Sequence, residues 1–207
     1  MLPTSLPQRQ QLRQQLRARR RALTPGQQAV AAQQLAHQLH QQSWFQASRR
    51  ILVYLPNDGE IDPLPLVKLA LTMNKEIYLP VLHPLAPRLL WLVRWLPGST
   101  PMEKNRFGIP EPRLKGYGLE RHRQIPPWAV DSVLLPLVGF DRQGGRLGMG
   151  GGFYDRTFDI RKSRPRQPRL IGLAHTCQEV DSLPVAAWDV PLQGIVTPEA
   201  FYPAKGI

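Results

Sequence analysis

The chain has 207 residues, of which 42% are hydrophobic and 20% are charged, and it contains a single cysteine. This length and composition predict one globular domain over residues 1–207, and one cysteine excludes an intrachain disulfide or a cysteine-based zinc site. The sequence offers no apolar run near the roughly 20 residues that cross a bilayer and no signal-peptide pattern, so we expect a cytoplasmic protein that binds no membrane.

The formal net charge of +12 admits nucleic acid, acidic lipid, a nucleoside triphosphate or a polycarboxylate as an anionic partner. No acidic residue precedes Asp58, whereas arginines crowd the first segment: Arg9, Arg13, Arg17, Arg19, Arg20 and Arg21. This cluster has three interpretations: a solvated helix face, an arm that binds ATP or phosphate, or an RNA-binding or transit segment. A transit segment is disfavoured because the cluster runs without a break into a well-capped helix.

The first half of the chain predicts two helices and then a β-α-β unit. Thr24 as N-cap, Pro25 at the first helical position and Gln27 as a capping-box partner begin the second helix. A strand, a helix and a strand in succession favour a parallel α/β sheet. The predicted elements are helices over 8–23 and 24–42, a strand over 51–55, a helix over 62–74 and a strand over 76–81.

The second half of the chain continues this pattern after one further strand over 89–96. The segment 97–127 is dense in Pro, Gly and charge, and it predicts irregular surface loops. Residues 132–138 are apolar without alternation, as expected for a strand that is covered on both faces. A helix over 153–160 and strands over 169–174 and 194–197 complete the predicted elements.

A glycine-rich run connects the buried strand to the helix after it, at a position where open α/β sheets commonly bind ligands. Glycines let the backbone approach phosphate oxygens closely, and a following helix start adds partial positive charge. The run is neither a Walker A loop nor an ordinary dinucleotide fingerprint. We interpret it as a phosphate site, although its glycine content alone fits a flexible turn equally well, and its glycines are Gly144, Gly145, Gly148, Gly150, Gly151 and Gly152.

The string Arg-Leu-Gly-Met-Gly-Gly-Gly-Phe-Tyr-Asp over 146–155 is more specific than its glycine count, because it resembles the signature of the 5-formyltetrahydrofolate cyclo-ligase family. The resemblance continues in order through nearly the whole chain. It includes the segments at 20–25, 54–62, 78–84, 105–112 and 136–141 and the end segment around Asp189 and Val196.

The resemblance implies a three-layer α/β/α fold, with a mostly parallel central sheet in a single domain. It also implies ATP-dependent closure of 5-formyltetrahydrofolate to 5,10-methenyltetrahydrofolate, with Mg²⁺ as the metal and release of ADP and phosphate. A formamide oxygen leaves poorly until it is phosphorylated, so ATP would supply the activation. Phosphoryl transfer of this kind needs positioning and charge neutralisation, and no nucleophilic side chain.

The same resemblance assigns an ATP site. Arg9 and Arg13 lie one helical turn apart and match the basic pair of the family, although the family usually has Lys at the first position. Arg146 and Tyr154 are the expected catalytic residues, with Tyr154 near the transferring group or the formyl oxygen. The full set expected to hold ATP is Arg9, Arg13, Arg146, Gly148, Met149, Gly150, Gly151, Gly152, Phe153 and Tyr154.

The folate and metal sites also follow from the resemblance. The Glu60 carboxylate is expected to accept hydrogen bonds from the pterin ring, in a pocket lined by Leu55, Asn57, Gly150, Gly152 and Tyr154. Asp155 and Asp189 match the magnesium-associated acids, although Asp155 also suits an early helical position near the positive end of the dipole. We expect a monomer that accepts 5-formyltetrahydrofolate with or without a polyglutamate tail.

Two other classes of function compete with this interpretation. A basic RNA-binding protein would explain the charge of +12 and the first arginines, but the chain shows no recognised nucleic-acid motif, and we expect no nucleic-acid partner. A sugar-phosphate isomerase or an acyl-CoA transferase would also use a glycine loop after a strand, and the fold alone does not exclude either.

Overall fold

The computed structural model describes residues 6–114, 123–159, 167–183 and 189–204. Its helices are α1 (Leu6–Arg21), α2 (Pro25–His40), α3 (Ser43–Ala47), α4 (Leu64–Thr72) and α5 (Phe153–Thr157). The capping box predicted at the start of α2 is confirmed, because the Gln27 backbone N–H donates to the Thr24 hydroxyl and the Thr24 N–H donates to the Gln27 side-chain oxygen.

The strands of the described residues form one large sheet and two short hairpins. The strands are β1 (Arg50–Leu52), β2 (Glu76–Leu82), β3 (Leu90–Arg94), β4 (Met102–Lys104), β5 (Pro110–Pro112), β6 (Gln124–Ile125), β7 (Ser132–Pro136), β8 (Gly139–Phe140), β9 (Arg146–Leu147), β10 (Arg169–Leu173), β11 (Gly194–Val196) and β12 (Phe201–Pro203). The large sheet has the order β12-β11-β10-β7-β1-β2-β3-β6 within these residues.

The centre of the large sheet is parallel and its edges are antiparallel. Strands β11, β10, β7, β1 and β2 pair in parallel. Strand β12 runs antiparallel at one end, and β3 and β6 do so at the other. The parallel centre places the turn that follows β1 and the chain that follows β7 at the same, carboxyl edge of the sheet, where ligands bind in folds of this type.

Helices cover both faces of the sheet. On one face Leu35 of α2 and Leu66 of α4 pack against Ile77 of β2. On the other face Phe158, directly after α5, packs with Leu135 of β7. The predicted three-layer α/β/α fold with a mostly parallel sheet is therefore confirmed, and no helix among the described residues is long and apolar enough to span a membrane.

The prediction of irregular loops over 97–127 is wrong for part of that segment. Strands β4 and β5 form a hairpin there, and β6 extends the large sheet beyond β3. The Glu111 carboxylate accepts hydrogen bonds from the Leu82 backbone N–H and the Asn105 side chain, and these contacts fasten the hairpin to the end of β2. Residues 115–122 of the segment lie outside the described residues.

Candidate functional site

Helix α1 crosses the carboxyl edge of the sheet and contacts the chain after three parallel strands. Arg20 donates from Nε to the Asp58 carbonyl, after β1, at 2.9 Å, and from Nη1 to the Leu137 carbonyl, after β7, at 3.0 Å. The helix also packs on the short turn Thr176–Gln178, which follows β10. One helix thus holds together the segments in which the sequence places both substrate sites.

The glycine loop has the open backbone that its sequence predicts. It leaves β9 and enters α5 through Gly152, which has a φ of 68°, and Gly150 has a φ of 89°. Non-glycine residues seldom adopt this left-handed region, so glycine is required at both positions. Met149 and Gly150 are exposed, and Arg13 Nε donates to the Gly148 carbonyl at 2.8 Å. The loop therefore presents its backbone to solvent beside an arginine of α1.

A cluster of alternating charges borders the loop. Arg146 Nε donates to the Val190 carbonyl at 3.1 Å, and its Nη2 pairs with the Asp155 carboxylate. Asp155 also accepts the Val190 N–H at 3.0 Å, so these three residues form a closed set of contacts. Next to it, Arg9 Nη2 lies 3.3 Å from Asp189 Oδ2. Both predicted metal-associated acids therefore flank one short segment and face arginines.

Mg²⁺ is typically bound by one or two carboxylates, substrate phosphates and several waters. No group of three His, Cys, Asp or Glu side chains that could hold a metal occurs in the part of the chain that the structure describes. Asp155 accepts a hydrogen bond from the Val190 N–H, and Asp189 is the residue directly before Val190, so the two carboxylates belong to neighbouring parts of the chain. This donor set fits a metal that arrives with a triphosphate and does not fit a cage made by protein ligands alone.

The turn after β1 carries the predicted folate residues. The Glu60 carboxylate accepts the Asn57 backbone N–H at 3.2 Å, and the Glu60 N–H donates to the Asn57 carbonyl at 3.0 Å. Burial raises the pKa of Glu60 to about 7, although the nearby Arg20 charge and the Asn57 hydrogen bond lower it. Leu55 is half-buried against the core, and Asn57 is exposed.

Two tyrosines lie close enough to Glu60 for their ionisation to be affected by it. Burial raises the pKa of Tyr54 and of Tyr154, and the Glu60 charge raises both further. Tyr54 donates its hydroxyl to the Ile61 carbonyl at 2.7 Å, so its position is fixed by the turn. Tyr154 is the second residue of α5, and its ring stacks on Phe158. The turn after β1 and Tyr154 of α5 thus share one electrostatic environment.

Sequence reasoning missed the residue that organises the turn. The Asp58 carboxylate receives Arg17 Nε at 2.7 Å and Arg20 Nη2 at 2.8 Å, and it also pairs with Arg21. Burial alone would raise the pKa of Asp58, but the hydrogen bonds from Arg17, Arg21 and Arg20 lower it to about 2.

One signal in the sequence indicates the buried arginine. Leu12, Leu16 and Arg20 follow one another at intervals of four, so Arg20 falls on the apolar stripe of α1. Its side chain has no exposed surface. The interpretation of the whole arginine cluster as a solvated helix face is therefore wrong for Arg20.

The structure brings most of the predicted residues to one edge of the sheet in two groups. One group comprises the glycine loop with Arg13, Arg146, Asp155, Arg9 and Asp189, through the contacts given above. The other group is the turn that contains Asn57 and Glu60. Phe153 meets the ring of Phe107, which is half-exposed at the tip of the β4–β5 hairpin, at a centroid distance of 6.0 Å.

Comparisons with known proteins agree with this architecture. The family model described as the 5-formyltetrahydrofolate cyclo-ligase family matches residues 5–198. The chain is 43% identical over 189 residues to a 5-formyltetrahydrofolate cyclo-ligase of Haemophilus influenzae, covering 91% of this chain and 96% of that protein. It is 42% identical over 183 residues to one of Escherichia coli, covering 88% and 96%.

A solved structure gives the same result. The 5,10-methenyltetrahydrofolate synthetase of Aquifex aeolicus superposes with a TM-score of 0.78 at 27% identity, over 96% of this chain and 94% of that one. The similarity therefore extends from the sequence to the fold and covers nearly all of each chain. The protein belongs to the 5-formyltetrahydrofolate cyclo-ligase family and is an enzyme of the ligase class.

Proposed function

We propose that the protein catalyses the ATP-dependent closure of 5-formyltetrahydrofolate to 5,10-methenyltetrahydrofolate, with release of ADP and phosphate. One observation carries the proposal: α1 joins a glycine loop suited to phosphate with a turn that presents a buried carboxylate. Arg13 contacts the loop at Gly148, and Arg20 contacts the turn at Asp58. The reaction requires a triphosphate and a pterin side by side, and this arrangement supplies a place for each.

The chemistry proceeds in two steps with balanced bonds. The formyl oxygen attacks the γ-phosphorus and the bond from that phosphorus to ADP breaks, which leaves an iminium phosphate at folate N5. Folate N10 then attacks the formyl carbon, and it loses its proton as the carbon–oxygen bond to phosphate breaks. The protein contributes alignment and charge neutralisation, which dominate catalysis of phosphoryl transfer.

The nucleotide would lie along the glycine loop. The backbone N–H groups of Gly148, Met149, Gly150, Gly151 and Gly152 would meet its phosphate oxygens, as they do in other glycine-rich anion sites. Arg9, Arg13 and Arg146 would neutralise negative charge. Each already lies against an oxygen of the loop or its neighbours, so short side-chain movements would bring it to a phosphate.

Asp155 and Asp189 would hold Mg²⁺ together with phosphate oxygens and water. The ion supplies charge neutralisation to the phosphates when it is bound. The pairing of these carboxylates with Arg146 and Arg9 keeps them in place before the nucleotide arrives. The two arginines would then pass from the carboxylates to the phosphates.

The pterin would lie between the β1 turn and α5. The Glu60 carboxylate would accept N–H groups of the ring, and Leu55 and Asn57 would line its edge. Gly150, Gly152 and Tyr154 would face the reacting formyl group, with Tyr154 near the oxygen that is phosphorylated. Phe153 and the half-exposed Phe107 would form an aromatic wall close to the loop.

Several expectations stay predictions. They are the cytoplasmic location, the monomeric state, a polyglutamylated form of the folate, the lack of nucleic-acid and membrane partners, and one domain over residues 1–207.

The test is absorbance at the methenyltetrahydrofolate band after purified protein is mixed with 5-formyltetrahydrofolate, with Mg-ATP, or with both. We expect the band to grow only with both substrates. A Glu60→Gln variant should weaken growth of the band, whereas Glu199→Gln, which changes an exposed acid, should not. A flat trace from folded wild-type protein that binds ATP would contradict the proposed substrate.

A further inference from the structure

The group of charges behind Glu60 has no role in the reaction as derived above. Arg20 is fully buried, and its guanidinium donates to the carbonyl and carboxylate of Asp58 and to the Leu137 carbonyl after β7. Burying a guanidinium costs free energy unless its donors are satisfied. An apolar side chain would fill the same space without this cost, so closing the turn does not by itself explain a buried arginine.

The contacts of Arg20 connect the turn after β1, which carries Glu60, to the end of β7. Nε and Nη2 hold the carbonyl and the carboxylate of Asp58, while Nη1 holds the carbonyl of Leu137. The same Leu137 carbonyl accepts a hydrogen bond from Gln178 Nε2 at 2.6 Å, so the acceptor of Arg20 Nη1 is itself held in place. Asp58 also has a φ of 56°, which makes the turn tight.

Glu60 lies at the open side of this arrangement. Its Oε1 is 3.8 Å from Arg20 Nη2, within ion-pair range but beyond a hydrogen bond. The Glu60 side chain is 12% exposed, so a ligand can reach its carboxylate, and Arg20 contacts it from the protein interior. Arg20 therefore orients the carboxylate without taking the lone pairs that a ligand would use.

We propose that Arg20 and Asp58 form a positioning pair that holds the Glu60 carboxylate in place for the pterin ring, an inference that rests on the proposed folate substrate. Neither residue touches substrate. Arg17 and Arg21 complete the neutralisation of Asp58 from the outer side of α1. The pair thus acts on folate recognition and leaves the nucleotide loop to Arg9, Arg13 and Arg146.

The charges that face Glu60 give the pair a second, measurable effect. Arg20 and Arg17 of α1 and the Asn57 N–H lower the pKa of Glu60, whereas Asp58 raises it. The hydroxyls of Tyr54 and Tyr154 face the same carboxyl from the turn and from α5. Losing the Arg20 charge should therefore move ionisation of Glu60 to higher pH, and losing the Asp58 charge should move it to lower pH.

The experiment compares steady-state formation of methenyltetrahydrofolate by the wild type and by Arg20→Met, Asp58→Asn and the double variant. The double variant removes both charges, so neither Arg20 nor Asp58 is left buried without the other, and it should recover folding stability lost in Arg20→Met. We expect KM for folate to rise about tenfold or more in all three, as for loss of a hydrogen bond to a charged group. KM for ATP should change by less than about twofold.

The pH profile separates positioning from a merely structural role. KM for folate should rise as the pH is lowered and Glu60 takes up a proton. The pH at which this rise begins should shift upward in Arg20→Met and downward in Asp58→Asn. Arg21→Gln is the matched control, because Arg21 pairs with the same carboxylate from a half-exposed position, and it should change KM for folate by less than about twofold.

The inference is overturned if the folded double variant recovers the wild-type KM for folate together with its stability. It is equally overturned if KM rises alike for both substrates, or if the pH profiles of the variants coincide with that of the wild type. A wild type that forms no product is a separate result, since it contradicts the proposed function and the inference falls with it.

Discussion

The two halves of the candidate site are built in opposite ways. The turn after β1 is held by ion pairs, since Asp58 receives three arginines of α1 and one of them has no exposed surface. The glycine loop is held by a hydrogen bond from Arg13 and by the contacts of Arg146 on its flank, and Met149 and Gly150 face solvent. The turn is thus organised before any ligand binds, whereas the loop leaves its polar groups available to one.

This difference has a consequence for mutations. Removing Asp58 from the turn leaves the buried Arg20 charge without its main partner, so it should lower the free energy of unfolding. A change in the loop removes little that the folded protein uses, so it should act on nucleotide binding. The following three predictions test that contrast, beginning with the largest expected effect.

Asp58→Ala should destabilise the protein by about 3 to 5 kcal/mol, because it removes the carboxylate that accepts a hydrogen bond from the buried Arg20 guanidinium. Urea unfolding followed by circular dichroism measures the change. The comparison variant is Arg142→Gln, which removes an ion pair with Glu179 in which the arginine is largely exposed, and it should cost less than about 1 kcal/mol. Equal losses in the two variants would show that the buried cluster contributes no more than a surface pair.

Glu60→Gln should alter the pH dependence of stability. Burial raises the pKa of Glu60 from 4.5 to about 7 in the folded protein, so the folded state is favoured at low pH and this contribution is lost as the pH rises through 7. The variant should therefore gain on the order of 3 kcal/mol relative to wild type between pH 5 and pH 8.

Urea unfolding of both proteins at the two pH values checks this prediction. Asp58, with a pKa of about 2, stays ionised over that range and does not disturb the comparison. His175, whose pKa burial lowers to about 4, is common to both proteins, so its contribution cancels in the difference. A difference between the two proteins that does not change with pH would place the folded pKa of Glu60 near its usual value.

Gly150→Ala should cost about 1 to 2 kcal/mol of stability, because alanine is disfavoured at a φ of 89°. Its larger effect should be on ATP, since the added Cβ would lie 3.6 Å from the Arg13 guanidinium carbon on the face offered to phosphate. Gly98→Ala carries similar backbone strain at a φ of 78° in open space away from the site. KM for ATP should rise in the first variant and stay unchanged in the second.

The sequence predicted the centre of the fold well, because local signals there are strong. The continuous apolar run at 132–138 contains β7, and the capping box begins α2 where Thr24 predicts it. The hairpin of β4 and β5 was missed, because its strands have three residues each and show no apolar alternation, and the contact of Glu111 with β2 joins residues distant in the chain. Density of Pro and Gly correctly indicates turns, but it does not distinguish a loop from a short hairpin.

The candidate site was predicted as a set of residues and not as an arrangement. The resemblance supplied Arg9 and Asp189, but their pairing joins residues 180 positions apart, which no local pattern reports. The role of Asp58 was hidden for a different reason: in the sequence it is one turn residue among several, and only its three arginine partners distinguish it. Whether a charged side chain is buried depends on the tertiary fold. The sequence therefore indicated only that the arginines of α1 face solvent or bind an anion, and the burial of Arg20 was missed.

The contacts of α1 set an order of events during synthesis. This helix is synthesised before the partners described for it, which lie at Asp58, Leu137, Gly148 and Asp189 in the order of the chain. At a translation rate of about 5 to 20 residues per second, tens of seconds pass before the final contact can form. The contacts of α1 with Asp58 can therefore form early in elongation, whereas the contact of Arg9 with Asp189 can form only after 180 more residues have been added.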